Sequence, residues 1–334
     1  MRVVLPDPAR PLSAEEAEQA VGAALDGRVH DAELAAFLAG LSERGETAAE
    51  IAGAAKALRA RMTPVTAPPG AIDVCGTGGD GAHGLNVSTA VAFVVAGAGV
   101  PVAKHGNRAA SSRSGAADVL EALGADLTLP PDRLEVALHE LGVAFLFAPR
   151  HHPALGRIAP VRRALGRRTL FNLVGPLANP ARVQRQLVGV FHAGWLAPMA
   201  EAGRMLGVRA LLVVHGAGLD ELAVHAPSTL VWAGREGLGP LETLDARPLG
   251  LGPHPLAALR GGDAAHNARQ LEALLAQPRD PALAAYRDIV LLNAAGALMV
   301  AGAAADWAEG VARARASLDD GAARDCLARF LAFR

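Results

Sequence analysis

The sequence predicts an α/β fold in two parts, a small all-helical domain over residues 1–65 and a larger α/β domain over 71–334 with a mostly parallel central sheet. Three observations carry this expectation. Residues 13–62 read as short Ala-rich helices, each apolar on one face. Residues 63–70, TPVTAPPG, read as a linker extended by its prolines. Beyond it, short apolar runs alternate with helical stretches, the pattern of βα units. A chain of 334 residues has room for both parts and for a sizeable core.

The elements follow in order. SAEEAEQAVGAALDG opens with Ser13 and Glu16, the spacing of a capping box, and stops at Gly27. A second helix runs from Asp31 to Gly45, and a third opens on another capping box, Thr47 and Glu50. Together they suit a small helical domain or a dimer surface. AIDVC is a short apolar strand that enters a glycine loop. NVSTAVAFVVAGAG reads as a helix, VPVAKHG as a strand, and SGAADVLEALG as a helix capped by Ser114. VAFLFAP, QLVGVF and ALLVVHG are further strands. IVLLNAAGALMVAGAAA, residues 289–305, is just short of bilayer length, and Asn293 with its Ala and Gly content favours a buried helix over a membrane span.

Bulk properties remove several function classes. Hydrophobic residues make up 51% and charged residues 19%, so the chain is globular. A net charge of −1 argues against a general nucleic-acid binder. Aromatics are 4%, with Tyr286 the sole tyrosine, so base-stacking platforms are not expected. The start, MRVVLPDPARPLS, has no apolar targeting segment. Cys75 and Cys326 lack metal-type spacing, and a reducing cytoplasm is the simpler reading.

In open α/β sheets, ligands bind beyond the carboxyl ends of strands. Three loops there carry chemistry. GTGGDGAHGLNVST holds five glycines at 76, 78, 79, 81 and 84. Gly76, Gly78 and Gly81 match the dinucleotide fingerprint, but no helix follows the third glycine directly and no acid stands about 20 residues on. No G-K-[ST] follows either, so a P-loop is excluded. An anion-binding loop, with Asn86, Ser88 and Thr89 as donors at a helix start, or a glycine-rich turn with an ordinary cap, remains. KHGNRAASSRSG gathers Lys104, His105, Asn107, Arg108, Ser111, Ser112 and Arg113, a density of donors that favours an anion site over a solvated loop. Lysine occurs elsewhere only at Lys56, among 32 basic residues, so Lys104 stands out as a compact charge or is there by chance. In HGAGLDEL, Asp220 and Glu221 are either Mg²⁺ ligands or two solvated acids.

GRIAPVRRALGRRTLFNLVGPLANP carries Arg157, Arg162, Arg163, Arg167 and Arg168. Most are helix-surface charges, and one could clamp a carboxylate bidentately. His151 and His152 have no further ligands at zinc spacing. There is no G-x-S-x-G nucleophile motif, and nothing marks a histidine partner for Cys75.

In order and spacing, GTGGDG…NVST, KHGNRAASSRSGAADVLEALG, PVRRALGRRTLFNLVGPLANP and HGAGLDE resemble the anthranilate phosphoribosyltransferase family, as do ALRGGDAAHNA and YRDIVLLNAAGAL near the end. The resemblance covers nearly the whole chain. It implies a nucleoside phosphorylase/phosphoribosyltransferase-like fold in which part of 160–182 rejoins the helical domain. It also implies Mg²⁺, a homodimer joined through that domain, and a place in tryptophan biosynthesis. The implied reaction moves the phosphoribosyl group of 5-phosphoribosyl 1-diphosphate (PRPP) to the anthranilate amine.

By position, the resemblance implies a PRPP pocket of Gly76, Gly79, Asp80, Asn86, Val87, Ser88 and Thr89, completed by Lys104, His105, Gly106, Asn107, Arg108, Ala109, Ala110, Ser111 and Ser112. Lys104 would serve phosphate as a point charge. Gly76, His105, Asn107 and Arg162 would meet anthranilate, with Arg162 on its carboxylate. Ser88, Asp220 and Glu221 would hold the metal, and no residue is singled out as an essential acid or base. The chain departs from the family pattern at Gly84 and Ala116, where hydroxyl side chains are common, at Leu85, and at His266, where an acid is common. A pyrimidine nucleoside phosphorylase is the alternative enzyme, which the GLDE run and Arg162 disfavour. A nucleic-acid-binding paralogue is the other alternative, disfavoured by the net charge of −1.

Overall fold

A computed structural model describes residues 3–109 and 113–334. The chain opens with helices α1 (Ala14–Leu25), α2 (Asp31–Arg44) and α3 (Ala48–Arg59). The α/β part follows with β1 (Asp73–Gly76), α4 (Val87–Gly97), β2 (Val102–Gly106), α5 (Ala116–Ala122), α6 (Pro131–Glu140) and β3 (Val143–Phe147). Next come α7 (Ala148–His151), α8 (Leu155–Leu165), α9 (Phe171–Val174), β4 (Arg185–Gly189), α10 (Leu196–Met205) and β5 (Ala210–His215). An antiparallel hairpin of β6 (Ser228–Gly234) and β7 (Gly237–Leu244) precedes α11 (Ala264–Ala276), α12 (Ala284–Ala301), α13 (Trp307–Asp319) and α14 (Ala322–Ala332).

Both capping boxes form. Ser13 accepts from the Glu16 amide while Glu16 accepts from the Ser13 amide, and Thr47 and Glu50 repeat the exchange. The helix after KHGNR is capped differently from the expectation. Gly115 is its N-cap, and Asp118 reaches back to the amides of Gly115 (2.8 Å) and Ala109 (3.0 Å). A carboxylate in the first turn thus takes the place expected of Ser114, and it also fixes the end of the KHGNRA loop.

The larger sheet runs β1-β4-β5-β6-β7. Strands β1, β4 and β5 are parallel, with Asp73 opposite Gln186 and Arg185 opposite Ala210. The parallel pair β2-β3 joins its edge through a bridge between Ile72 and Val102. The β6-β7 hairpin was not expected. Its outer strand exposes Leu238 and Leu241 and lacks the clean alternation that marks a half-buried strand in sequence.

Strand alternation divides the sheet between two cores. Leu212 and Val214 pack with α4 and α12 on one face. Leu211 and Val213 face α10 and the helical bundle on the other. Helix α12 is the stretch whose length and composition match a membrane span, but 78% of that window is buried inside the protein. It is the central helix of the larger core. Residues Ile158 and Val161 of α8 and Phe171 of α9 join the core of α1–α3. The Ser42 hydroxyl donates to Arg168 O (2.9 Å) and Arg167 pairs with Glu43 (2.9 Å), which ties this excursion to α2.

The linker is pinned over its first residues. Thr63 N donates to His151 O (2.8 Å) and Val65 N to Pro180 O (3.2 Å).

Glu50 is fully buried and serves more than its cap. It accepts from Leu12 N (3.0 Å), from Thr47 N (2.7 Å) and from the Arg44 guanidinium. Truncation would leave two amides without their acceptor and take one of three acceptors from the partly buried Arg44 guanidinium, which also donates to Pro8 O and Gly45 O. Glu50→Ala is expected to lower unfolding free energy by about 2–4 kcal/mol in urea denaturation, the cost of two unsatisfied amides, with Glu50→Gln milder.

Candidate active site

The parallel strands deliver their carboxyl ends to one edge, where the glycine loop after β1 and the acidic loop after β5 meet. Gly78 N donates to Asp220 Oδ2 (2.6 Å), and Ser88 N, at the first turn of α4, donates to Glu221 Oε1 (3.1 Å). Glu221 therefore sits at the positive end of α4, and Asp220 against the glycine loop. A cleft of about 180 Å³ opens beside them, lined by Gly79, Asp80, Asn86, Val87, Asp220 and Glu221 among others.

Close approach explains two glycines here. A Cβ on Gly76 would stand 2.2 Å from Asp220 Oδ2, and one on Gly189, the last residue of β4, 1.6 Å from Asp220 O. Asp220 is thus laid across the ends of β1 and β4, and only glycine leaves room for it.

Burial pushes the Asp220 carboxyl up to about 7, with the negative charge of Asp80 adding to the shift. Burial likewise pushes Glu221 up to about 8, reinforced by Asp220. Behind them Lys104 is 3% exposed, and its ammonium donates to Val74 O (2.7 Å) and Ser88 Oγ (3.1 Å). Burial pushes this lysine down, and the charges of Asp73, Glu221 and Asp220 oppose that shift. Lys104 does not line the cleft among the described residues. It is a countercharge under the acidic pair.

Neighbouring polar groups brace this floor. Asp73 is fully buried and accepts from His105 N (3.0 Å) and Asn179 Nδ2 (2.7 Å). Burial pushes its carboxyl up. The Asn86 side chain accepts from Asn267 Nδ2 (2.8 Å), and Tyr286 donates to Asn86 O (3.2 Å), so α11 and α12 steady the start of α4. The His215 ring donates from Nδ1 to Val190 O (2.8 Å), which leaves Nε2 to accept from Gly218 N (3.2 Å). That assigns its neutral Nδ1–H tautomer.

The remaining expected residues are placed as follows. Arg108 is committed to Glu121 (2.7 Å) and Asp118 (3.1 Å), and Asn107 Oδ1 accepts from Arg108 N (2.7 Å). Gly106 ends β2 against the Phe145 ring. Thr89 is buried, and its hydroxyl has no partner among the described residues. Ala110, Ser111 and Ser112 lie outside the described residues. Gly84 pairs through its backbone with Arg260. His266 donates its amide to Asp263 (2.8 Å) at the start of α11.

Arg162 is half-buried on α8, stacked 5.6 Å from the Phe171 ring, with no carboxylate partner among the described residues. Arg168 stacks 4.1 Å from Phe191 and donates to Gly79 O, joining the helical side to the glycine loop.

The sequence assigns no site role to His152 or Asn293 and does not single out Gly189. His152 lies 5.2 Å from His105, ring to ring, and both are buried. Its position at the end of α7, the short helix that follows β3, is the signal the sequence offers.

For a metal, the donors are the acidic pair, Asp80 and the Ser88 hydroxyl. No group of three or more His, Cys, Asp or Glu is set as a ready cage among the described residues. Mg²⁺ asks for no such cage, since it takes one or two carboxylates and completes its shell with water and phosphate oxygens. Two half-buried carboxyls held at raised values fit a divalent cation, which would relieve both.

Burial pushes His105 down to about 3 and His152 down to about 4, with a neighbouring histidine contributing in each case. The unfolded chain takes up these protons near the ordinary value of 6.5 while the fold refuses them. Their contribution is therefore present above 6.5 and is lost as pH falls toward about 4 and about 3. His152→Gln is expected to flatten the acid limb of Tm against pH.

Comparison with known proteins agrees with this architecture. The helical bundle domain of a glycosyl transferase family matches residues 7–62, and the a/b domain of a glycosyl transferase family matches 68–324. Anthranilate phosphoribosyltransferase of Novosphingobium aromaticivorans is 55% identical over 325 residues, 97% of each chain. The crystal structure of the Thermus thermophilus anthranilate phosphoribosyltransferase superposes with a TM-score of 0.91 at 45% identity, covering 97% of this chain and 96% of that one. The Saccharomyces cerevisiae enzyme, solved in complex with PRPP and Mg, gives 0.87 at 27% identity, covering 96% and 93%. The chain belongs to the anthranilate phosphoribosyltransferase family.

Proposed function

We propose that the protein transfers the 5-phosphoribosyl group of PRPP to the amine of anthranilate, giving N-(5-phosphoribosyl)anthranilate and pyrophosphate in tryptophan biosynthesis. The observation that carries this reading is the half-buried Asp220–Glu221 pair beside a glycine-loop cleft, in a chain 55% identical to a named relative. The amine nitrogen attacks C1 of the ribose as the C1–O bond to pyrophosphate breaks, and the amine then loses a proton.

Asp220 and Glu221, with the Ser88 hydroxyl, would hold Mg²⁺, which when bound neutralises charge developing on the leaving pyrophosphate. Gly76, Gly79, Asp80 and the run Asn86 to Thr89 would line the pyrophosphate side. Residues 104 to 112 would complete the PRPP pocket. Lys104 acts there from below, by holding Ser88 and balancing the acids. Arg162 would take the anthranilate carboxylate in a bidentate pair, with Gly76, His105 and Asn107 nearby. With its value pushed down to about 3, His105 stays neutral at ordinary pH and presents an uncharged ring. Catalysis on this reading rests on positioning and electrostatics, with no single essential base.

The domain division at 1–65 and 71–334, with part of 160–182 on the helical side, is part of the same proposal. It is supported by the packing of α9 into the bundle core. A homodimer joined through the helical domain follows from the family resemblance. A cytoplasmic location is supported by Cys75 and Cys326, both free thiols.

Anthranilate fluorescence tests the reaction. It is expected to fall only when protein, PRPP and Mg²⁺ are all present, and a constant signal with folded protein would reject the assignment. Arg162→Ala is expected to raise KM for anthranilate by about tenfold to a hundredfold, the worth of a charge-assisted pair, while KM for PRPP stays within about twofold. Equal rises in both would remove the carboxylate role.

A further inference from the structure

Helix α12 is apolar along nearly its whole length, yet its centre carries Asn293, which is fully buried. Placing an amide there without partners would cost several kcal/mol. Its neighbours Leu291, Leu292, Ala294 and Ala295 show what the site accepts when packing alone decides. The amide is fully engaged. Oδ1 accepts from Leu222 N (2.8 Å), and Nδ2 donates to Leu222 O (2.9 Å) and to Ile289 O (2.8 Å).

Two of these bonds go to the N–H and the C=O of one residue. A single bond would leave that backbone free to rotate about it, whereas the pair fixes both flanking peptide planes. The residue so held is Leu222, which directly follows Glu221. The next amide, Ala223 N, is tied to Ser228 Oγ (2.8 Å), and the turn before the acids closes between Gly216 and Leu219 (3.0 Å). Asn293 is thus the far anchor of the acidic loop, reaching it from an element 71 residues away.

We propose that Asn293 is a positioning residue for the divalent-cation site: by clamping both backbone groups of Leu222 it sets the aim of the Asp220 and Glu221 carboxylates into the phosphate cleft. It touches neither substrate nor metal. The inference rests on the reading of Asp220 and Glu221 as cation ligands. Partners one bond removed from metal ligands govern affinity by holding the ligands in their productive orientation.

The test is Mn²⁺ binding in the presence of PRPP, read by electron paramagnetic resonance, with Tm recorded alongside. Asn293→Ala removes the clamp. Asn293→Asp keeps the shape and the acceptor for Leu222 N but loses both donated bonds, and serves if the alanine variant does not fold. Ser317→Ala is the control, because Ser317 makes a similar buried bond, to Val94 O (2.7 Å), at the other end of α4. The expected result is a rise of about tenfold in the Mn²⁺ dissociation constant for the Asn293 variants and none for Ser317→Ala. Wild-type affinity in a folded Asn293 variant would overturn the positioning role alone. An equal loss of affinity in Ser317→Ala would overturn it too, by tracing the effect to general destabilisation. Failure of the wild-type protein to bind Mn²⁺ would overturn both this inference and the cation-site reading beneath it.

Discussion

The structure turns on holding two adjacent, half-buried carboxylates at the carboxyl edge of a parallel sheet. Left alone, Asp220 and Glu221 would repel each other and resist leaving water. The surrounding fold is arranged to hold them. The α4 N-terminus gives Glu221 an amide, the glycine loop gives Asp220 another, and Lys104 lies beneath with its ammonium turned inward. The ends of β1 and β4 are glycines because the acidic loop lies against them. An arrangement of neutral and cationic groups around a charged pair is the preorganisation that a transferred phosphoribosyl group and its leaving pyrophosphate would exploit.

This changes the role of several polar residues. Lys104 has the composition of a phosphate ligand and the location of a countercharge. The donors of the helix start are partly spent on a carboxylate rather than left open. Arg108, exposed and rich in donors, is braced by Glu121 and Asp118 and stacks near Phe147. Arg162 is the converse. It is half-buried with an aromatic ring beside it and no acid to answer it among the described residues, the condition of a guanidinium with a task.

Much of this was legible in the sequence because it is local. Capping boxes at Ser13 and Thr47, the glycine loop, the GLDE run and the alternation of strands with helices each show within a few residues. What stayed hidden depends on contacts distant in sequence. Gly189 ends a strand like many others until Asp220 is laid over it. Asn293 was visible as the lone amide of an apolar stretch, but only the partner 71 residues away shows its purpose. The β6-β7 hairpin lacks a clean period, since its outer strand stands at the sheet edge with apolar residues exposed. Ser114 lost the helix cap to Asp118, a competition that propensity alone does not decide.

The excursion through α8 and α9 has a mechanical consequence. Arg162 is carried by a helix whose Ile158 and Val161 lie in the core of the helical bundle, while Asp220 and Glu221 are fixed to the sheet. With Arg162 as the proposed carboxylate clamp, the span between it and the acidic pair would be gauged by apolar packing between layers. Where chemistry depends on alignment, an error of about 1 Å costs on the order of a hundredfold in rate. Under that proposed role, a methyl group lost between α8 and the bundle would be felt as a mistuned distance, and this core would have a tolerance set by catalysis as well as by stability.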